Sequence, residues 1–302
     1  MTRPPLVIVG PTAAGKSSLA LQLALAEPGS IEIVSADAMA VYRTMDVGTA
    51  KPSPADRALV PHHLVDVVDP TEDYAVSRFA DEVVAVLDDL ERRSITPVLV
   101  GGTGLYVRAV VDGFDIPPQF PAVAAELDAD PDTESLWLRL RELDPAAADK
   151  MLPTNRRRIV RALEVTIGSG QPFSSFGPGV DAYGETRFAQ AGLEIDRDEM
   201  DRRIDARYDE QMAAGFLDEV ANVRADGWSK TAAQALGYKE LAAHLDGECS
   251  LDDALDEAKR RTRRFARRQQ RWFRRDPRIR WFDALAPDLV EQVGNWWGES
   301  AK

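Results

Sequence analysis

The chain has 302 residues, a formal net charge of −13 at neutral pH and one cysteine, Cys249. At roughly 150 residues per domain this length allows about two domains, with a core that needs no covalent staples. A composition of 44% hydrophobic and 29% charged residues excludes wholesale disorder. The single cysteine excludes an internal disulfide framework and fits a reducing compartment. The N-terminal apolar run Leu6-Val7-Ile8-Val9 is too short for a signal-peptide core, and nothing else approaches a membrane span. A cytoplasmic protein with no membrane partner is expected.

In chain order, Leu6 to Val9 reads as a buried strand, followed by a Gly-rich turn and a helix over 17–25. Ile31-Glu32-Ile33-Val34 reads as a second strand that ends at Asp37, and 63–68 as a weaker one. Phe79, Val83, Val86, Leu87 and Leu90 recur at helical spacing and predict an amphipathic helix over 77–92. Pro97-Val98-Leu99-Val100 is another short apolar strand, running into Gly101-Gly102-Thr103-Gly104. Such alternation of short apolar strands with helices predicts a parallel α/β sheet covered on both faces.

The character changes near Gly113. A breaker run, Asp115-Ile116-Pro117-Pro118-Gln119-Phe120-Pro121, precedes a helical pattern over 122–168 and a Gly-, Ser- and Pro-rich loop over 168–184. Residues 187–195 are expected to return to the sheet as a strand, and helices are expected over 199–224, 232–245 and 251–276. The domain reading is therefore an α/β core of residues 1–115 and 187–302, with a helical insertion at 116–186.

The run Gly10-Pro11-Thr12-Ala13-Ala14-Gly15-Lys16-Ser17 matches G-x-x-x-x-G-K-[ST] and has a strand before it and a helix after it. The glycines let successive backbone N–H groups converge on one anion, and the helix adds its positive end. Lys16 supplies a mobile charge for terminal phosphate oxygens, and the Ser17 hydroxyl is placed to ligate Mg²⁺. This motif specifies phosphate, with diphosphate the natural size, and leaves open whether a nucleoside triphosphate binds.

Ligands of open parallel sheets bind outside the carboxyl ends of the strands. Asp37 and Thr103 stand at two other such ends. Alone, Asp37 reads as a cap for a following helix; beside a phosphate loop it reads as a proton acceptor or a metal contact. Thr103 reads as a turn residue, or as a hydroxyl for a phosphate or leaving oxygen. His62 and His63 are adjacent on a strand, so they point to opposite faces and do not read as joint metal ligands.

Between Ala258 and Arg280 stand 12 Lys or Arg and one acid, Asp276. That segment carries +11 and leaves −24 for the rest of the chain. On a helical wheel Arg264, Arg267, Arg271, Arg274 and Arg278 fall within about 40° of Arg260, with Phe265, Trp272 and Phe273 roughly opposite. A solvated helix mixes signs for i, i+4 pairing, whereas a pure arginine face fits a phosphate backbone. A second cluster, Arg156, Arg157, Arg158 and Arg161, suggests a folded RNA held between two elements.

Together these stretches resemble the bacterial tRNA dimethylallyltransferase family. The resemblance runs over residues 10–17, over 35–52 with Gly48-Thr49-Ala50-Lys51-Pro52, over 62–70, and over Gly101-Gly102-Thr103-Gly104-Leu105-Tyr106. It continues over 156–165, over Gly237-Tyr238-Lys239-Glu240-Leu241 and over 262–275. It implies a P-loop kinase-like core with a helical insertion and a helical C-terminus. It further implies movement of a dimethylallyl group from dimethylallyl diphosphate to N6 of the adenine 3′ of the anticodon; separately, a monomer is expected. By the resemblance Asp37 and Thr103 are catalytic. Gly10, Pro11, Thr12, Ala13, Ala14, Gly15, Lys16 and Ser17 hold diphosphate with Mg²⁺. Asp37, Ala38, Met39, Ala40, Arg157, Arg158, Ile159, Val160 and Arg161 join Arg264, Arg267, Arg271 and Arg274 in contacting the tRNA anticodon stem-loop. The chain departs from the family at Ala38, Met39 and Ala40, where Ser-x-Gln is usual, and at Leu152-Pro153-Thr154-Asn155, where a His-Pro-Asn-Asp type run is usual. Rival readings are a P-loop small-molecule kinase, a non-catalytic RNA-binding nucleotide sensor, and prenyl transfer to free adenine nucleotides.

Overall fold

The computed structural model describes residues 3–300 except 115, 178 and 181. The breaker run therefore begins at a residue, Asp115, outside the described set, as do two positions of the 168–184 loop. Two compact units emerge: Met1–Val111 with Glu185–Lys302, and Asp112–Gly184.

The first unit is built on a six-stranded parallel sheet of order β3-β2-β4-β1-β5-β6. Its strands are β1 (Leu6–Val9), β2 (Ile31–Ser35), β3 (His62–His63), β4 (Thr96–Val100), β5 (Ala189–Glu194) and β6 (Arg280–Asp283). Its helices are α1 (Lys16–Ala26), α2 (Pro54–Leu59), α3 (Val76–Arg92) and α4 (Gly104–Val111). The second unit carries α5 (Pro121–Ala129), α6 (Thr133–Leu143), α7 (Pro145–Ala148) and α8 (Arg156–Ser169), with a 3₁₀ turn at Phe173–Ser175. The chain then returns to the first unit with α9 (Arg197–Ala213), α10 (Phe216–Asp226), α11 (Tyr238–Leu245), α12 (Leu251–Phe273) and α13 (Leu289–Glu299).

All four residues of β1 are fully buried. A central parallel strand covered on both faces needs a continuous apolar run, which is what Leu6 to Val9 supplies. Helix α3 buries Phe79, Val83, Leu87 and Leu90, four of the five residues whose spacing predicted it. The second unit has its own core of Leu127, Leu136, Leu140, Ile159 and Leu163 with smaller neighbours.

Several sequence expectations need correction. The strand expected at 63–68 is only His62–His63, followed by an isolated bridge between Tyr42 and Val68. Leu64 and Asp66 take positive φ, 59° and 57°, which turns the chain out of extended geometry. The helix expected over 199–224 is two helices, broken at Ala214–Gly215, where Gly215 has φ 92°. The helix expected over 232–245 opens as a 3₁₀ turn at Ala232–Gln234 and becomes α-helical only from Tyr238. The basic helix ends at Phe273, and Arg278 lies beyond it, folded back onto Asp276 with Nη2 2.7 Å from Oδ2. Strand β6 and helix α13 were not anticipated. Among the described residues no helix is long and apolar enough to cross a membrane.

Candidate active site

Strands β2, β4 and β1 are consecutive neighbours in the sheet. Their carboxyl ends carry Asp37, the Gly-Gly-Thr-Gly turn and the phosphate loop, so three segments far apart in sequence emerge side by side. Gly10 leaves β1 at φ 148°, and a Cβ there would stand 2.8 Å from the Leu193 carbonyl oxygen on β5. The loop therefore crosses its neighbour strand at a distance only glycine allows. Ala13 is left-handed, at φ 65°, an unusual setting for a residue with a Cβ. Gly15 is the left-handed N-cap of α1, so Lys16 opens the helix at its positive end.

The Lys16 Nζ donates to the Pro11 carbonyl at 2.7 Å, inside the loop it serves. Burial is the main cause that pulls its pKa down to about 8; the nearby Arg207 charge acts in the same direction and Asp37 opposes both. Asp37, Lys16 and Arg207 thus share one electrostatic neighbourhood. Asp37 Oδ1 accepts from the Met39 and Ala40 N–H groups at 2.8 and 3.4 Å. The capping reading of Asp37 is right in part: the carboxylate closes a turn, but no helix follows. The Thr103 Oγ1 accepts from the Ala38 N–H at 3.2 Å, which ties the Asp37 turn to the Gly-rich turn. Ala40 is buried, and Ala38 and Met39 are half-buried and packed on the core.

Sequence reasoning missed four residues of this site. Arg207 on α9 donates from Nη1 to Thr12 Oγ1 at 3.0 Å, and its guanidinium, largely desolvated, has its pKa lowered by burial. Arg203, one turn earlier, reaches the Ala13 carbonyl at 3.4 Å while pairing with Glu199 at 2.7 Å. In a sequence as charged as that of α9, such an i, i+4 pair reads as an ordinary solvated face. Gln269 and Trp272 of α12 also reach the site. The buried stripe of that helix is Ala254, Ala258, Thr262, Ala266, Gln269 and Phe273. Phe265 and Trp272, expected to face the core, are only half-buried.

The arginine face is less uniform than the wheel suggested. Arg264 stands 3.9 Å from Glu257, Arg267 3.9 Å from Asp201, and Arg274 3.7 Å from Glu194. Arg264, Arg271 and Arg274 are exposed, while Arg267 is half-buried. In the second unit Arg157 and Arg158 are exposed. Ile159 and Val160, expected among the RNA contacts, are instead buried in that unit's own core, because the inner face of α8 needs apolar side chains. Arg156 donates to backbone carbonyls, including that of Asp130 at 2.6 Å, and Arg161 pairs with Glu164 at 2.8 Å. His63 Nε2 lies 2.6 Å from Glu32 and His62 Nδ1 2.8 Å from the Val60 carbonyl.

A parallel sheet that delivers a backbone anion cradle and a carboxylate to adjoining strand ends places the chain among the P-loop kinase-like α/β proteins. The model of the IPP transferase family matches residues 40–276. The tRNA dimethylallyltransferase of Thermobifida fusca is 47% identical over 95% of this chain and 92% of its own length. That of Bifidobacterium animalis subsp. lactis is 46% identical over 95% and 84%. The full-length tRNA isopentenylpyrophosphate transferase of Bacillus halodurans has a TM-score of 0.72 at 35% identity, covering 99% of this chain and 98% of that one. A eukaryotic dimethylallyltransferase captured acting on tRNA has a TM-score of 0.80 at 26% identity, covering 96% and 77%. The chain belongs to the IPP transferase family.

Proposed function

We propose that this chain transfers a dimethylallyl group from dimethylallyl diphosphate to N6 of the adenine 3′ of the anticodon in tRNA, releasing diphosphate. The observation that carries the reading is the meeting of Lys16, Arg207 and Asp37 at adjoining strand ends, together with relatives named for this transfer. The C1–O bond of the allylic diphosphate breaks and its electron pair leaves with the diphosphate. The phosphate-loop N–H groups, Lys16 and Arg207 stabilise that departing charge. The N6 lone pair forms the new C–N bond, and the N6 proton passes to Asp37. Thr103 stands beside the leaving oxygen. The adenine must leave its stack to reach these groups, and Ala38, Met39 and Ala40 line its approach with less polar surface than Ser-x-Gln would offer.

The donors present fit Mg²⁺. Ser17 is exposed in the first turn of α1, Asp37 supplies a carboxylate, and magnesium at phosphate sites takes few protein ligands, with the remainder from phosphate and water. When bound, the ion neutralises charge on the diphosphate. Exposed arginines of α12, and Arg157 and Arg158 of α8, are the proposed phosphate-backbone contacts. A cytoplasmic location remains proposed, supported by the lone cysteine, and the working form is proposed to be a monomer.

The test is incubation with dimethylallyl diphosphate, Mg²⁺ and unmodified tRNA, then nucleoside mass analysis. The expected product is adenosine heavier by one prenyl group. Prenylation of free adenine nucleotides but not of tRNA, or steady ATP turnover without RNA, would overturn the reading.

A further inference from the structure

Gln269 is a buried polar side chain in a helix otherwise read as RNA-facing. Both its amide oxygen and its amide nitrogen are hydrogen-bonded. Oε1 accepts from the Thr12 N–H of the phosphate loop at 2.8 Å, and Nε2 donates to the Gly102 carbonyl at 2.9 Å. A Cβ at position 102 would stand 2.1 Å from that Nε2, so the turn needs glycine there for the amide to seat. One helical turn on, Trp272 fills the space against Gly104, where a Cβ would stand 2.2 Å from its Nε1. Between these two glycines Thr103 holds the Ala38 N–H beside Asp37. A continuous path thus runs from the phosphate loop through Gln269 to the threonine turn and on to the Asp37 turn.

We infer that Gln269 is a positioning residue that sets the phosphate loop and the Gly-Gly-Thr-Gly turn in register for a diphosphate ligand. By occupying the Thr12 N–H it leaves the later loop amides to converge on the anion. By occupying the Gly102 carbonyl it keeps that partial negative charge from facing phosphate. An amide is the side chain suited to this task, because it offers one acceptor and one donor side by side without net charge. Isolated Gln on a basic helix carries no such signal, which is why only the packed structure reveals it. The inference rests on the phosphate-loop reading of residues 10–17 and not on tRNA as acceptor.

The experiment uses the full chain and inorganic pyrophosphate as the probe. Gln269→Met keeps the volume and loses both hydrogen bonds. It should weaken pyrophosphate binding by about tenfold and raise KM for dimethylallyl diphosphate by a similar factor. Affinity and KM for tRNA should stay within about twofold of the parent. Gln269→Glu loses the donor while ionised and regains it when protonated. Burial raises the pKa of such a carboxyl. The ratio of variant to parent dissociation constants for pyrophosphate should therefore fall as pH is lowered from about 8 to about 5.5. Pyrophosphate affinity indifferent to Met in a folded variant, or equal loss for both substrates, would overturn the inference. Should the Met variant fail to fold, the Glu variant decides, and a ratio that does not change with pH counts against the assignment. A parent that binds pyrophosphate through Gln269 but prenylates no tRNA would defeat the proposed function and leave this inference standing. Normal prenyl transfer with position 269 immaterial to pyrophosphate would do the reverse.

Discussion

Asp37 and Lys16 occupy one electrostatic neighbourhood, yet their removal should act on different steps. Asp37 Oδ1 accepts two backbone hydrogen bonds, so Asp37→Asn keeps an acceptor for the turn while removing the base and the negative charge near Lys16. Transfer should fall on the order of 10²- to 10⁴-fold with tRNA affinity unchanged; a single-turnover rate within about threefold of the parent would contradict the base assignment. Lys16, with its pKa lowered to about 8, binds anions only while protonated. Raising the pH through that value removes the charge, so kcat/KM for dimethylallyl diphosphate should fall about tenfold per pH unit above it. In Lys16→Arg, whose guanidinium stays charged, the break near that value should vanish from the profile. Because Asp37 raises the Lys16 pKa, Asp37→Asn should move the ammonium's titration to lower pH, which pyrophosphate binding can follow without turnover.

Helix α12 has two faces of different character. Its buried stripe of alanines, Thr262 and Gln269 lets it lie close to the phosphate loop and the Gly-rich turn. Its outer face presents Arg264, Arg271 and Arg274 to solvent, with Arg267 half-buried near Asp201. Replacing all four by Gln keeps helix propensity nearly constant. The variant should fold and bind pyrophosphate like the parent. Its tRNA binding should be weaker, and the slope of log affinity against log salt shallower by about two to three units. The shortfall from four full contacts comes from the half-buried Arg267 and from the carboxylates near Arg264, Arg267 and Arg274. Affinity measured across a salt series, with circular dichroism as the fold control, checks this; an unchanged slope would mean that this face is merely solvated.

For the whole molecule, the late segments close the sheet-bearing unit. Strand β6 pairs with β5, register Ala191 opposite Arg280, and α13 sends Trp297 into the core. The indole Nε1 of Trp297 donates to the Pro4 carbonyl at 2.8 Å, and the Arg3 guanidinium lies 5.2 Å from the ring centre. The last helix thereby anchors the segment that leads into β1 and the phosphate loop. Trp297→Ala should cost about 3 to 5 kcal/mol. Thermal unfolding should drop by several degrees, with the Asp37 and Lys16 chemistry intact at low temperature. An unchanged melting temperature would show that α13 is dispensable to this unit.

The amino-acid sequence by itself determined the phosphate loop, the buried strand before it and the two flanking strand ends at Asp37 and Thr103. Each depends on local chemistry: glycine spacing, a continuous apolar run and a turn. It also made the family legible, because several such local runs stand in a characteristic order. Tertiary structure alone decided which helices reach the site. Arg203 and Arg207 look like the surface charges of any acidic helix until α9 packs over the loop. Gln269 is one of two adjacent glutamines, and only the packing of α12 buries one and leaves the other half-exposed. The turn at Leu64, a residue with no local preference for positive φ, escaped the sequence reading for a related reason. Apolar periodicity reports which face is buried, while backbone direction at a single residue is set by what the flanking elements must pack against.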